Sequence, residues 1–188
     1  MNARNTDSGL RLQGRIDRRT HELARLKTAF PQWEQLSKEE KLEASRKVQP
    51  VAEDTVYNVT TDALHEFFVD NLDPDNTNTE ANVDVSFLAL GTDASSATAE
   101  TDTDLNSREY EEPVTDVADN GKELLASTFL DSTEGNGNDF DELGLFSGDP
   151  ANLANTEVFL INHATFAAVT KDSTKTVTFD VTLTFSDV

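Results

Sequence analysis

The sequence contains no cysteine. That excludes disulfide staples and thiolate metal sites, so packing, hydrogen bonds and charge must hold the fold. No stretch approaches the ~18 consecutive apolar residues of a membrane-spanning helix. The N-terminus lacks the apolar core of a secretory signal, so no secretion address and no membrane partner are expected. Aromatic residues other than Phe are scarce: one Trp, Trp33, and two Tyr, Tyr57 and Tyr110. Sugar-binding faces are commonly built on exposed Trp and Tyr, so the scarcity argues against a carbohydrate platform. There is no HExxH, no paired histidine spacing, no Gly-x-Ser-x-Gly elbow and no phosphate-cradling glycine loop followed by Lys. Those absences remove the common signatures of zinc hydrolases, serine hydrolases and nucleotide-binding folds. No enzymatic activity is expected.

Basic residues are also scarce, and unevenly so. Residues 1–50 hold 11 Lys/Arg against 7 Asp/Glu, whereas residues 51–188 hold 4 against 29, and the formal charge of the whole is −21. An acidic body repels nucleic-acid phosphates, so no direct nucleic-acid partner is expected. Acidic, Lys-poor composition fits either a disordered chain or a folded protein from a high-salt environment, whose carboxylate surface is screened and hydrated. The C-terminal pattern favours the second. In Thr176–Phe185 the apolar residues fall at Val177, Phe179, Val181, Leu183 and Phe185, with polar residues between. Strict period-two alternation predicts a strand with one dry and one wet face.

Two regions follow from the pattern. In residues 1–50, Leu12, Ile16, Leu23, Leu26 and Phe30 fall on one helical stripe, which predicts a helix from Leu10 to about Phe30. Gly14 weakens its first turn, Arg19 interrupts the stripe, and Pro31 ends it. Ser37-Lys-Glu-Glu40 is a capping box opening a second helix that runs to about Lys47. This two-helix arm has too few apolar residues to fold alone, so its stripe must pack on the body, as a helical hairpin lying on its own domain, on a copy of itself, or on another protein. Its stripe (Leu12, Ile16, Leu23, Leu26) and its cations Arg11, Arg15, Arg18 and Arg19 are the expected docking surface for assembly. On that reading, a chain lacking residues 1–50 stays soluble but no longer assembles.

Residues 51–188 read as an acidic antiparallel β-sandwich with one short helix at Asp62–Leu72. Strands are expected at Val56–Thr60, Val83–Leu90, Glu112–Val117, Glu123–Phe129, Leu143–Phe146, Glu157–Phe166 and Thr174–Phe185, with a turn at Gly135-Asn-Gly-Asn138. The last strand is a long template which, left at an edge, would invite a neighbour's strand.

The order of several short elements resembles a β-rich domain common in structural proteins of tailed bacteriophages. These elements are Leu88-Ala-Leu-Gly-Thr-Asp93, Thr103-Asp-Leu-Asn-Ser-Arg-Glu109, Asp141-Glu-Leu-Gly-Leu-Phe146, Leu160-Ile-Asn-His-Ala-Thr-Phe-Ala-Ala-Val-Thr-Lys171 and the final alternating strand. The resemblance covers roughly residues 55–188. It implies a non-catalytic subunit of a virion, in a capsid turret or vertex decoration or in a tail or baseplate. Its partners would be copies of itself and other virion proteins. Joined to the composition, it implies a tailed virus of salt-loving archaea. At Asn162-His163 the family often has an Arg; here His163 is placed to take over a hydrogen bond to Glu142. The other functional class weighed is a receptor- or carbohydrate-binding module of a viral fibre or spike.

One stretch suggests a structural cation. Asp102-Thr-Asp104-Leu-Asn106 begins like a calcium loop, but Ser107 and Pro113 stand where that loop needs Gly and Glu. Asp102, Asp104 and Asn106 are therefore candidate oxygen ligands for Ca2+ or Mg2+, against the plainer reading of a solvated acidic surface. No other cofactor is expected.

Overall fold

Nine antiparallel strands dominate the computed structural model, which describes residues 10–65, 84–153 and 158–187. They are β1 (Leu10–Glu22), β2 (Ala52–Thr60), β3 (Phe87–Gly91), β4 (Arg108–Pro113), β5 (Asp116–Asp119), β6 (Glu123–Leu130), β7 (Asp139–Phe146), β8 (Leu160–Thr170) and β9 (Lys175–Asp187). Two helices, α1 (Leu23–Ala29) and α2 (Lys38–Ser45), lie between β1 and β2. Residues 62–65 are helical. The remainder of the helix expected at Asp62–Leu72 lies outside the described residues, as does the first residue of each strand expected at Val83 and Glu157.

The strands form one sheet in the order β4-β3-β7-β8-β2-β1-β9-β6-β5, curled into a half-barrel. The connection between its outermost strands requires the curl. Only Val114 and Thr115 separate β4 from β5, and the three Cα–Cα steps across them reach at most about 11 Å. The Val114 N–H donates to the Ser86 carbonyl beside β3, while the next N–H, from Thr115, donates to the Ser127 carbonyl of β6, both at 2.8 Å. The two ends of the sheet therefore meet at that corner. The single strand expected at Glu112–Val117 is in fact two, split where the chain crosses from one sheet edge to the other. A continuous sheet also stands in place of the two separate layers expected.

β9 alternates as its sequence predicts. Val177, Phe179, Val181 and Leu183 are buried with Ile16, Ala126 and Leu130, and they face Leu88, Leu90, Leu143, Leu145 and Ile161 across the core. β9 is not an edge, however. It pairs with β1 along its length and with β6 on its other side, placing Ile16, Val181 and Ala126 in one row. The expected template for a neighbour's strand is already filled from within the chain.

The helix expected over residues 10–30 is corrected for its first part: residues 10–22 form β1, inside the sheet between β2 and β9. The spacing of Leu12 and Ile16 is four, which suits a helix but is also a multiple of two. Gly14, Arg18 and Thr20 occupy the other places on the dry face and hide the alternation. Gly14 sits opposite Asn58, whose side chain occupies the space that a Cβ at position 14 would need. Thirteen residues of pairing with β9 outweigh a weak local helical preference.

The helical part lies on the outer face of the sheet. Leu26, Trp33, Leu42 and Ala44 bury themselves against Phe129 of β6, and the Trp33 and Phe129 rings meet edge to face at 6.1 Å. α2 opens with the expected capping box. The Glu40 N–H donates to Ser37 Oγ, and the Ser37 N–H donates to the Glu40 carboxylate. This layer also covers part of the face of β9 expected to be wet: Thr176, Thr178 and Asp180 are buried.

Candidate functional site

Glu142 on β7 and His163 on β8 are both fully buried. His163 Nε2 lies 2.7 Å from Glu142 Oε1, and Nδ1 lies 2.6 Å from Asp102 Oδ2. The loop between β3 and β4 completes the cluster. The Asn106 N–H donates to Glu142 Oε1 at 2.7 Å, and the Ser107 N–H donates to Oε2 at 3.2 Å. Asp102 Oδ2 also accepts the Ala99 N–H. The hydrogen bond from His163 to Glu142 is the one its place in the motif suggests. A neutral imidazole carries one N–H, so an imidazole between two carboxyl groups needs a second proton, on the ring or on one carboxyl. With His163 and Glu142 shut away from solvent, this chemistry ties the 99–107 loop to the sheet.

Gly91 makes room for the cluster, and Gly144 makes room for the apolar side chains beside it. A Cβ at Gly91 would collide with the Glu142 carboxylate and lie 2.6 Å from the Ser107 carbonyl. A Cβ at Gly144 would lie 2.7 Å from Leu160 and 2.8 Å from Leu105. Among the described glycines, positive φ occurs at Gly121, Gly135 and Gly137. At Gly91 and Gly144 it is close approach, and not unusual backbone geometry, that excludes a side chain.

The candidate cation ligands do not converge. Asp102 turns inward to His163. Asp104 faces Arg108, with Oδ1 at 3.0 Å from Nε, and also accepts the Leu105 N–H. The Asn106 side chain donates to the Asp93 carbonyl. Among the described residues, no three His, Asp or Glu side chains gather as a metal site.

The candidate docking residues are mostly used inside the molecule. Ile16 is in the main core with Leu12 against it; Leu26 is buried under the helical layer with Leu23 against it. Arg18 lies on the dry face, its guanidinium 5.2 Å from the Phe166 ring centroid, donating to the Ala167 carbonyl. Arg19 donates to Asp180 Oδ2 at 2.6 Å and pairs with Glu53. Arg15 pairs with Asp17 and stays half exposed. Arg11 is placed by its backbone pairing opposite Ser186.

Three further cations were not singled out in the sequence. Arg46, the residue that caps the C-terminus of α2, donates to Asp180 Oδ1 and to Ser127 Oγ, both at 2.8 Å. Lys41 pairs with Asp131, and Lys38 reaches both Glu112 and Glu134. Burial alone would push the Asp131 carboxyl up, but Lys41 and the Ser132 N–H together hold it below the usual aspartate range.

Lys171, at the end of β8, is fully buried. Its Nζ donates to Asn136 Oδ1 at 2.8 Å and to the Asp172 carbonyl at 3.1 Å, and burial pushes the ammonium's pKa down. The available signal was scarcity: Lys171 is one of only four cations in residues 51–188. Comparison with known proteins finds no matching protein family, no matching curated protein and no matching solved structure.

Proposed function

We propose that this chain is a structural subunit of the virion of a tailed virus of salt-loving archaea. It would form a capsid turret or vertex decoration, or part of a tail or baseplate, and act by oligomeric assembly and not by turnover. The observation that carries this reading is the convergence of the motif residues. Glu142, His163, Asn106, Ser107 and Gly91 come from four elements that are merely consecutive in sequence, yet they meet around the buried pair of Glu142 and His163. Joint construction of one unit is what a shared domain requires.

With the first strand built into the sheet, contacts to neighbours fall elsewhere. Val51, Tyr57 and Val117 are the exposed large apolar residues among those described. Tyr57 stands opposite Arg15 on β1, and Val117 lies on the edge strand β5. Acidic copies packed together need counterions, so assembly should strengthen with salt, or with Ca2+ or Mg2+.

Light scattering in molar KCl tests the proposal. A trimer, pentamer or hexamer that loses mass on Tyr57→Ala or Val117→Asp supports a symmetric virion part assembled through these residues. A stable monomer at high salt sinks self-assembly and shifts weight to a receptor- or carbohydrate-binding module.

A further inference from the structure

The turn between β6 and β7 brings together a buried primary amine and a carboxamide. Gly135 and Gly137 take positive φ, at 62° and 95°, and hold Asn136 between them. The turn is pinned to the end of β8 from both sides: the Gly137 N–H donates to the Lys171 carbonyl and the Lys171 N–H to the Asn138 carbonyl. That frame sets Lys171 Nζ against Asn136 Oδ1 at 2.8 Å. The other end of the amide is also held, with Asn136 Nδ2 donating to the Ser132 carbonyl at 2.8 Å. Lys171 has no solvent exposure, whereas nearly every other lysine of an acidic, salt-adapted chain should prefer water. A buried amine loses its proton more easily, and the free amine is the nucleophilic form.

We propose that Lys171 and Asn136 form an intramolecular isopeptide bond, a covalent staple in a chain with no cysteine. The unprotonated Nζ attacks Cγ of Asn136, the new Nζ–Cγ bond forms and the Cγ–Nδ2 bond breaks. A proton passes from Nζ to the departing nitrogen, which leaves as ammonia. The reaction is RNH2 + R′CONH2 → R′CONHR + NH3, and no oxidant, metal or co-substrate enters. Asp172, Asp131 and Glu134 act electrostatically on the Lys171 amine and favour its charged form, against the larger effect of burial. Proximity supplies the rate: the amine is held next to the carbonyl it attacks, so a reaction that is slow between separate molecules becomes intramolecular. The staple would join the β6–β7 turn to the end of β8 and suit a subunit under mechanical load.

Intact-mass spectrometry of the full chain under denaturing conditions tests this first. The expected mass is one ammonia below the mass of the encoded sequence, and peptide mapping should show a branched peptide joining the segments that carry Asn136 and Lys171. The same loss would arise if the Asn136-Gly137 pair cyclised to a succinimide, so two further measurements separate them. Lys171→Arg abolishes the deficit if the bond is to Lys171 and leaves it if the product is a succinimide. Mild alkali hydrolyses a succinimide to full mass plus the Asn-to-Asp change but leaves an isopeptide intact. If Lys171→Arg does not fold, the wild-type branched peptide and its survival in alkali decide alone. An intact mass equal to the encoded one, or linear peptides only, overturns the proposal.

Discussion

Residues 1–50 and 51–188 carry opposite charge, and the difference is resolved inside the molecule. Arg19 and Arg46 both close on Asp180, Lys41 on Asp131, Lys38 on Glu112 and Glu134, and Arg18 lies 3.6 Å from Asp54. The basic head therefore complements an acidic neighbour as charge arithmetic suggests, but the neighbour is the chain's own body. A surplus of one sign on a segment identifies the sign of its partner and not whether that partner is another molecule.

The largest test of this comparison removes the head. Without residues 10–22, β2 and β9 lose their shared partner, and the dry face of β9 opens beside the gap. The loss should exceed the whole stability of a domain, about 5–15 kcal/mol. A chain of residues 51–188 is expected to show no cooperative unfolding by circular dichroism and to aggregate. A soluble, cooperatively folding fragment would restore the picture of a detachable arm.

The next effect concerns the helical layer alone. Trp33 is buried against Phe129, so Trp33→Ala should cost about 3–5 kcal/mol, read as a lower urea midpoint. An unchanged midpoint would mean the layer rests on the sheet without stabilising it. Smaller again is Arg46→Met. Asp180 keeps Arg19 and Ser127 as partners. The expected loss is therefore about 2 kcal/mol, less than the 3–5 kcal/mol for a buried charge stripped of its only partner. Equal loss in Arg19→Met and no further loss in the double variant would show the two arginines acting as one unit.

The body was legible where one physical signal dominated. Alternation marked β9, the glycine-rich turn marked residues 135–138, and the capping box marked the start of α2. β1 was illegible because its dry face carries Gly14, Arg18 and Thr20 among the apolar residues, and two of the three are accommodated by residues distant in sequence. Arg18 lies over Phe166 and Gly14 makes room for Asn58. The place of β9 in the sheet was illegible for the same reason, since the apolar spacing of its neighbour β1 matches a helix. In the buried cluster, the contact between His163 and Glu142 could be anticipated from their places in two motifs. The contact to Asp102 could not, because Asp102 sits in a carboxylate-rich loop where spacing suggests a cation as readily as a histidine.

The smallest effect isolates one ion pair between head and body. Burial opposes ionisation of Asp131, yet Lys41 and the Ser132 N–H hold its pKa below the ordinary value. A carboxyl depressed in the folded state stabilises the fold above its unfolded pKa, near 4, and that stabilisation fades as pH falls through the folded value. Lys41→Met removes the ion pair and also the contact of the ammonium with the Trp33 ring, 5.9 Å from its centroid. The ring contact does not titrate in this range, so only the aspartate part depends on acid. The wild type should therefore melt above Lys41→Met by a constant margin at neutral pH, equivalent to about 1 kcal/mol for a pair that is mostly but not fully shielded from solvent. Below about pH 4 that margin should shrink to the ring contribution. A margin that stays constant into acid would assign the effect of Lys41 to Trp33 alone, and the head would then be held at this point by packing and not by charge.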